Sequence, residues 1–273
     1  MILLWGEATD LALAAVHAAL VRLGAPVRTL DQPRPQALAG VEAAYLRPQR
    51  QRLDRASRAL LAWANVTPAR IVNRPAAMGS NSSKPYQCAL IERFGFATPP
   101  TLVTTDAAAA LAFWRRHGTV VYKSISSIRS VVARLTPEHR ARLASLSACP
   151  TQFQAHVPGR DTRVHVVGER VFACEIEAEA DDYRYAARSG VPVALRSVVL
   201  PAEIADRCRH LVAGLGLIFG GIDLRRTPDG QWVCFEVNPS PGFTFYERAT
   251  GAPIAAAVAD LLSTAVRQHQ GVA

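Results

Sequence analysis

Residues Phe219 to Gly242 constrain this chain more than any other stretch. Two apolar runs flank a Thr227-Pro228-Asp229-Gly230 turn, so the segment must fold back on itself as a hairpin. It carries three oxygen ligands, Asp223, Glu236 and Asn238. Side chains alternate along a strand, which puts Glu236 and Asn238 on one face. The face of Asp223 follows from the turn. A two-residue loop at Asp229-Gly230 sets it opposite Glu236, and a four-residue loop sets it diagonally on the same face. A three-residue loop with a glycine bulge sends it to the other face. The sequence leaves this register open.

An Asp facing a Glu across a ladder is destabilising unless a cation lies between them. Two carboxylates and an amide carbonyl make an all-oxygen set that suits Mg²⁺ or Mn²⁺ rather than zinc. Taken alone, the same stretch also reads as a solvated hairpin whose acids point at water.

The rest of the chain narrows the choice. At 273 residues and 49% hydrophobic content it can bury one large core or two to three small lobes. No run reaches the ~18 apolar residues of a membrane span. Met1-Ile-Leu-Leu-Trp-Gly-Glu7 lacks a basic n-region and meets an acid at once, so a first buried strand is expected there instead of a signal peptide. Five scattered cysteines without a Cys-x-x-Cys pair fit a reduced cytoplasmic protein better than a disulfide framework or zinc site. The net charge of +9 is nearly all arginine, with only two lysines, Lys84 and Lys123, among 31 basic residues. Coding bias alone can produce such arginine abundance, and no basic run with interleaved aromatics points to nucleic acid. An acidic substrate is at least as well matched a partner. The two lysines stand out because an ammonium is a compact point charge suited to one phosphate oxygen, whereas guanidinium is a broad fork.

Strand–helix alternation runs through the first third: strands at 2–5, 27–30 and 41–46, and helices at 8–23 and 53–64. A polar loop, Gly79-Ser-Asn-Ser-Ser-Lys84-Pro85, precedes a helix at 86–94. A helix at 107–117 leads into the strand Val120-Val-Tyr-Lys123. Strands at 152–156, 162–167 and 170–177, a helix at 202–215 and one C-terminal helix at 252–267 complete the reading.

In order, the chemistry-bearing residues are Lys84, Lys123, Asp161-Thr-Arg163, Asp182-Tyr-Arg184, Asp223 and Glu236-Val-Asn238-Pro-Ser-Pro-Gly242. This order resembles that of the ATP-grasp carboxylate–amine ligases, in particular the branch of ribosomal-protein glutamate ligases and peptide-modifying maturases. The likeness runs from about Asn73 to about Arg267. It implies an α/β chain built of α+β lobes with the ATP-grasp fold. Residues 1–78 would be a short N-terminal pre-grasp α/β domain, 79–151 the small nucleotide lobe and 152–273 the large lobe with the metal site. It also implies ATP and Mg²⁺ (or Mn²⁺) as cofactors. Lys84 and Lys123 would contact ATP phosphates, and Gln154, His156 and Val157 would form the inter-lobe link that reads adenine. Asp161 would contact the nucleotide, Arg163 would steer a phosphate or carboxylate, and Arg184 would serve phosphate or acyl phosphate. Asp223, Glu236 and Asn238 would hold metal, which favours an even-length turn.

The chain departs from the family pattern at three places. Ala155 stands where a glutamate is common, Ala186 where an asparagine is expected, and Ser124-Ile-Ser-Ser-Ile-Arg-Ser130 contains none of the glycines of a phosphate-covering loop. The expected activity is activation of a carboxylate as an acyl phosphate and its transfer to an amine or hydroxyl. Peptide or small-molecule carboxylates and amines would be the partners, without membrane or nucleic acid, and the reading leaves room for a homo-oligomer. Free amino acids or dipeptides are alternative substrates. A non-catalytic nucleotide- or peptide-binding protein with the same fold is the rival from another class.

Overall fold

A computed structural model describes residues 1–32, 38–48, 53–125, 132–178 and 192–270. Three sheets organise them. The first is parallel, in the order β2-β1-β3-β4, from β1 (Ile2–Gly6), β2 (Val27–Leu30), β3 (Ala43–Arg47) and β4 (Arg70–Val72). All of β1 is buried, as expected of a strand covered on both faces. Ile2 and Leu4 face α1 (Leu11–Arg22) and a C-terminal helix, while Leu3 and Trp5 face α2 (Arg55–Val66). Each such side chain contributes about 1.5–3 kcal/mol by leaving water. Asp10 starts α1 by accepting from the Leu13 amide at 2.9 Å, and Asp54 starts α2 by accepting from Ser57 at 2.7 Å.

The second sheet is antiparallel, ordered β5-β8-β6-β7, from β5 (Thr101–Thr104), β6 (Val120–Ser124), β7 (Ala133–Arg134) and β8 (Thr151–Ala155). One face packs on α4 (Ala107–His117) and the 3₁₀ segment Ala141–Ala148 through Val120, Leu143, Leu146 and Phe153. The other face carries Lys123 and Gln154.

The third sheet is ordered β11-β10-β9-β12-β13, from β9 (Arg160–Val167), β10 (Arg170–Ala178), β11 (Val193–Val198), β12 (Phe219–Arg226) and β13 (Trp232–Asn238). Helix α5 (Ala202–Gly214) covers one face. The helix at Lys84–Arg93, α3, and the following Phe96 join the same apolar cluster. Ile91 and Phe96 are buried against the five-stranded sheet, not the four-stranded antiparallel one. A short helix, α6 (Thr244–Thr250), precedes the C-terminal helix α7 (Ile254–Gln270) and is bent from it by 117°. Gly251 at φ 71° gives α6 a left-handed cap, and Pro253 follows. Helix α7 packs on α1 and fuses the first and third sheets into one core.

Among the described residues no single helix is long and apolar enough to cross a membrane. The five cysteines are free thiols, and burial pushes Cys208 up to about 12 and Cys234 well above its ordinary range. These two are inert core residues.

Candidate active site on the five-stranded sheet

The β9–β12–β13 register builds the site. Asp161 lies opposite Arg225, Arg163 opposite Asp223 and His165 opposite Gly221. On the far side of β12, Asp223 faces Glu236 and Gly221 faces Asn238. The turn is not even. Thr227 and Gln231 are joined by a 2.9 Å amide bond, and Gly230 at φ 87° donates to the Thr227 carbonyl. That is a three-residue loop with a left-handed glycine, the form that sends Asp223 to the wrong face. A second irregularity cancels the first. The partner of Asp223 is Glu236 and that of Leu224 is Cys234, so Phe235 is an extra residue in β13. This bulge returns Asp223 to the face of Glu236 and Asn238. The Phe235 ring is held by Arg225, whose guanidinium carbon sits 5.1 Å from the ring centre.

Each carboxylate has a cation. Arg163 Nη1 donates to Asp223 Oδ1 at 2.6 Å, and Lys84 Nζ to Glu236 Oε2 at 2.5 Å. Arg163 is only 6% exposed and lies 5.7 Å from the centre of the Tyr246 ring. It has room because position 221 is glycine: a Cβ there would run into the Arg163 guanidinium and come within 2.6 Å of Pro241 Cβ. Asn238 Oδ1 accepts from the Ser240 amide at 2.9 Å, which turns its carbonyl oxygen at the end of the strand.

This donor set fits a hard divalent cation that arrives with its own phosphate ligands. Two carboxylates and an amide share one face, and among the described residues no three His, Cys, Asp or Glu side chains converge to form a protein-only cage. Mg²⁺ is commonly held by one or two carboxylates with phosphates and water completing its shell.

On the second sheet, Lys123 is buried and donates to Gln154 Oε1 at 3.3 Å; Gln154 in turn donates to Thr101 Oγ1 at 3.0 Å. Gln152, opposite Lys123, keeps a buried Oε1 that accepts no hydrogen bond. Such an acceptor is costly to leave unmatched and is suited to a ligand donor. Burial pushes the Cys88 thiol up, and the charges of Lys123 and Lys84 partly offset that rise.

Several of the expected ligand-contacting residues have protein partners in this structure. Asp161 does not pair with Arg163. Arg225 grips both of its oxygens, at 2.7 and 2.8 Å, and donates at 2.7 Å to the Val157 carbonyl. Arg225 thus braces β9 and β12 against the segment at Val157. The Ala155 and His156 amides bond the Pro100 and Thr119 carbonyls at 2.9 Å, so they hold the link in place. Arg184, Ala186 and most of the Ser124–Ser130 segment lie outside the described residues.

The sequence reading passes over three anchors. Asn73, 3% exposed, donates to the Phe219 and Pro239 carbonyls and accepts from the Ile218 and Phe219 amides, tying both hairpin strands to the first sheet. Arg47 is fixed by Asp10 at 2.7 Å and donates at 3.1 Å to Ser240 Oγ and the Pro241 carbonyl. His165 is fully buried between Arg163 and Tyr246.

Burial, reinforced by the Arg163 charge, holds His165 well below its ordinary 6.5. In the unfolded chain it takes up a proton as pH falls through 6.5, while the folded protein does not. Stability is therefore complete above that value and declines below it, by up to about 1.4 kcal/mol per pH unit. Urea unfolding at pH 7.5 and 5.5 should show a smaller acid loss for His165→Gln than for the wild type; identical losses would exclude His165 as the source.

Residues 89–262 match the model of the RimK-like ATP-grasp domain, well over half of the chain. The chain belongs to the RimK-like ATP-grasp family. A probable alpha-L-glutamate ligase of Rhodopirellula baltica is 26% identical over 205 residues, covering 71% of this chain and 50% of the relative. Across the first curated relatives the match spans between 28% and 54% of their length. The ATP-grasp ligase PsnB, solved with a minimal precursor, superposes with a TM-score of 0.84 at 23% identity over 97% of this chain and 98% of that one. The macrocyclase MdnC of Microcystis aeruginosa MRC, bound with precursor peptide MdnA, gives 0.80 at 21% identity over 96% and 98%. At these identities the likeness establishes the ATP-grasp fold.

Proposed function

We propose that this ATP-grasp chain is an ATP- and Mg²⁺-dependent ligase acting on a peptide or protein. The carboxylate oxygen of the substrate attacks the γ-phosphorus as the bond to ADP breaks. An amine or hydroxyl then attacks the acyl carbon, phosphate leaves, and the nucleophile gives up its proton. The product is an amide or ester with ADP and phosphate. The observation that carries the reading is the direct opposition of Asp223 and Glu236 on the open sheet face, each matched to a buried cation.

A bound Mg²⁺ would supply charge neutralisation for the phosphates, with Asp223, Glu236 and Asn238 as its protein ligands. Lys123 and Lys84 would offset the phosphate charge, and Arg163 would orient the anionic substrate. Arg184 is assigned the same phosphate-serving role from its sequence position. The link at Gln154, His156 and Val157 would border adenine.

A peptide substrate is supported by the neighbours: PsnB is solved with precursor peptide PsnA2 and AMPPNP and with Mg and ADP, and a Chryseobacterium gregarium ligase with leader and core peptide. The net charge of +9 suits an acidic partner. Free thiols suit a reducing, cytoplasmic setting.

The test is ADP release from Mg–ATP with acidic candidate peptides, free amino acids and dipeptides. Stimulation by a peptide is expected. Thermal stabilisation by Mg–ATP with no turnover under any acceptor would favour the non-catalytic alternative.

A further inference from the structure

Strand β13 is the edge of its sheet. Its inner side pairs with β12, leaving an outer row of N–H and C=O groups that must find other partners. Gln87 of α3 meets that need at one residue. Its Nε2 donates to the Val237 carbonyl at 2.8 Å and its Oε1 accepts from the Val237 amide at 3.0 Å. Val237 stands between Glu236 and Asn238, and Gln87 is 2% exposed. The side-chain amide reproduces both bonds that a neighbouring strand would make.

Other contacts show that this is more than a satisfied polar residue. One helical turn earlier, Lys84 reaches Glu236 itself. Ten residues later, the Ala97 carbonyl accepts from the Cys234 amide at 2.8 Å, and Ala97 bridges Val233 in parallel. The segment from Lys84 to Ala97 therefore holds the outer edge of β13 on both sides of the Phe235 bulge. A bulge is where an antiparallel register can slip by one residue, and one step flips every later side chain to the opposite face. Ala97 fixes the strand before the bulge, and Gln87 fixes it after.

We infer that Gln87 is a positioning residue that pins the register of β13 beyond the bulge and so keeps Glu236 and Asn238 on the face of Asp223. Naming the cation they hold rests on the proposed ligase activity; the pinning itself does not.

The test uses the full chain carrying Gln87→Met, which removes donor and acceptor, and Gln87→Glu, which keeps the acceptor but opposes a carboxylate to the Val237 carbonyl. Mn²⁺ serves as the probe, titrated by electron paramagnetic resonance into the ADP complex, beside ADP affinity without metal and amide exchange at Val237. Both variants should weaken Mn²⁺ binding about tenfold or more, leave metal-free ADP affinity within about twofold, and speed exchange at Val237. If Gln87→Met does not fold, Gln87→Glu decides. Wild-type Mn²⁺ affinity in either folded variant, or an equal fall in metal-free ADP affinity, would overturn the inference. A wild-type chain that binds no Mn²⁺ with ADP would count against the ligase reading. Val237 exchange would then decide the inference: unchanged rates overturn it and faster rates support it.

Discussion

Glu236→Gln is expected to reduce acceptor-stimulated ADP formation by roughly a thousandfold or more, equivalent to about 4 kcal/mol of lost transition-state stabilisation. The substituted side chain has the same shape and can still accept a hydrogen bond from Lys84. What it lacks is the second negative charge that, with Asp223, matches a divalent ion. Its effect on the fold should be small for a physical reason. The change breaks the 2.5 Å ion pair with Lys84, but it also removes the cross-strand repulsion with Asp223. Opposing cross-strand charges and partly exposed ion pairs each contribute on the order of 1 kcal/mol or less, so the two terms nearly cancel. A melting temperature near that of the wild type together with lost turnover is the expected pairing. A folded variant that retains more than about a tenth of the activity would remove Glu236 from the metal set.

How much of this site the sequence shows depends on the range of the interaction that places each residue. Glu236 and Asn238 share a face because strands alternate, and that is legible in three consecutive letters. The parallel first sheet is likewise visible in the unbroken apolar run Ile2-Leu-Leu-Trp5, which only a strand covered on both sides can bear. The position of Asp223 is not legible. Its face results from two one-residue offsets, at Gly230 and at Phe235, that cancel; either one alone gives the opposite answer. Phe235 bulges where Arg225 is free to stack on it, and Arg225 is placed by Asp161, which is 64 positions away. Asp161 and Arg163 look like a pair at spacing two, yet same-face neighbours along one strand are set apart by the pleat. Each finds its partner across the ladder in β12 instead. Asn73, Arg47 and Gln87 are single polar letters whose partners lie some 146 to 194 positions later. Nothing local distinguishes them from solvated residues. Gly221 is similar: its lack of a Cβ matters only once the Arg163 side chain is known to cross above it.

Arg163→Met should damage the fold more than Glu236→Gln does, and should cost activity as well. The guanidinium is nearly inaccessible, bonded to Asp223 at 2.6 Å and seated beneath Tyr246. Removing it leaves Asp223 facing Glu236 without the guanidinium that bonds it. Breaking a buried pair from one side costs about 3–5 kcal/mol, because the remaining charge is desolvated without its partner. Acceptor-stimulated turnover should fall about a hundredfold or more, since the proposed substrate anion loses its orienting cation. Arg163→Lys should rescue stability in part and turnover poorly. Lysine restores the charge, but not the planar fork that passes over Gly221 near the Tyr246 ring while reaching Asp223. Urea unfolding and ADP release on the two variants separate these effects. If lysine restores full activity, Arg163 acts through charge alone, and the cradle formed by Gly221, Pro241 and Tyr246 has no part in orienting the substrate.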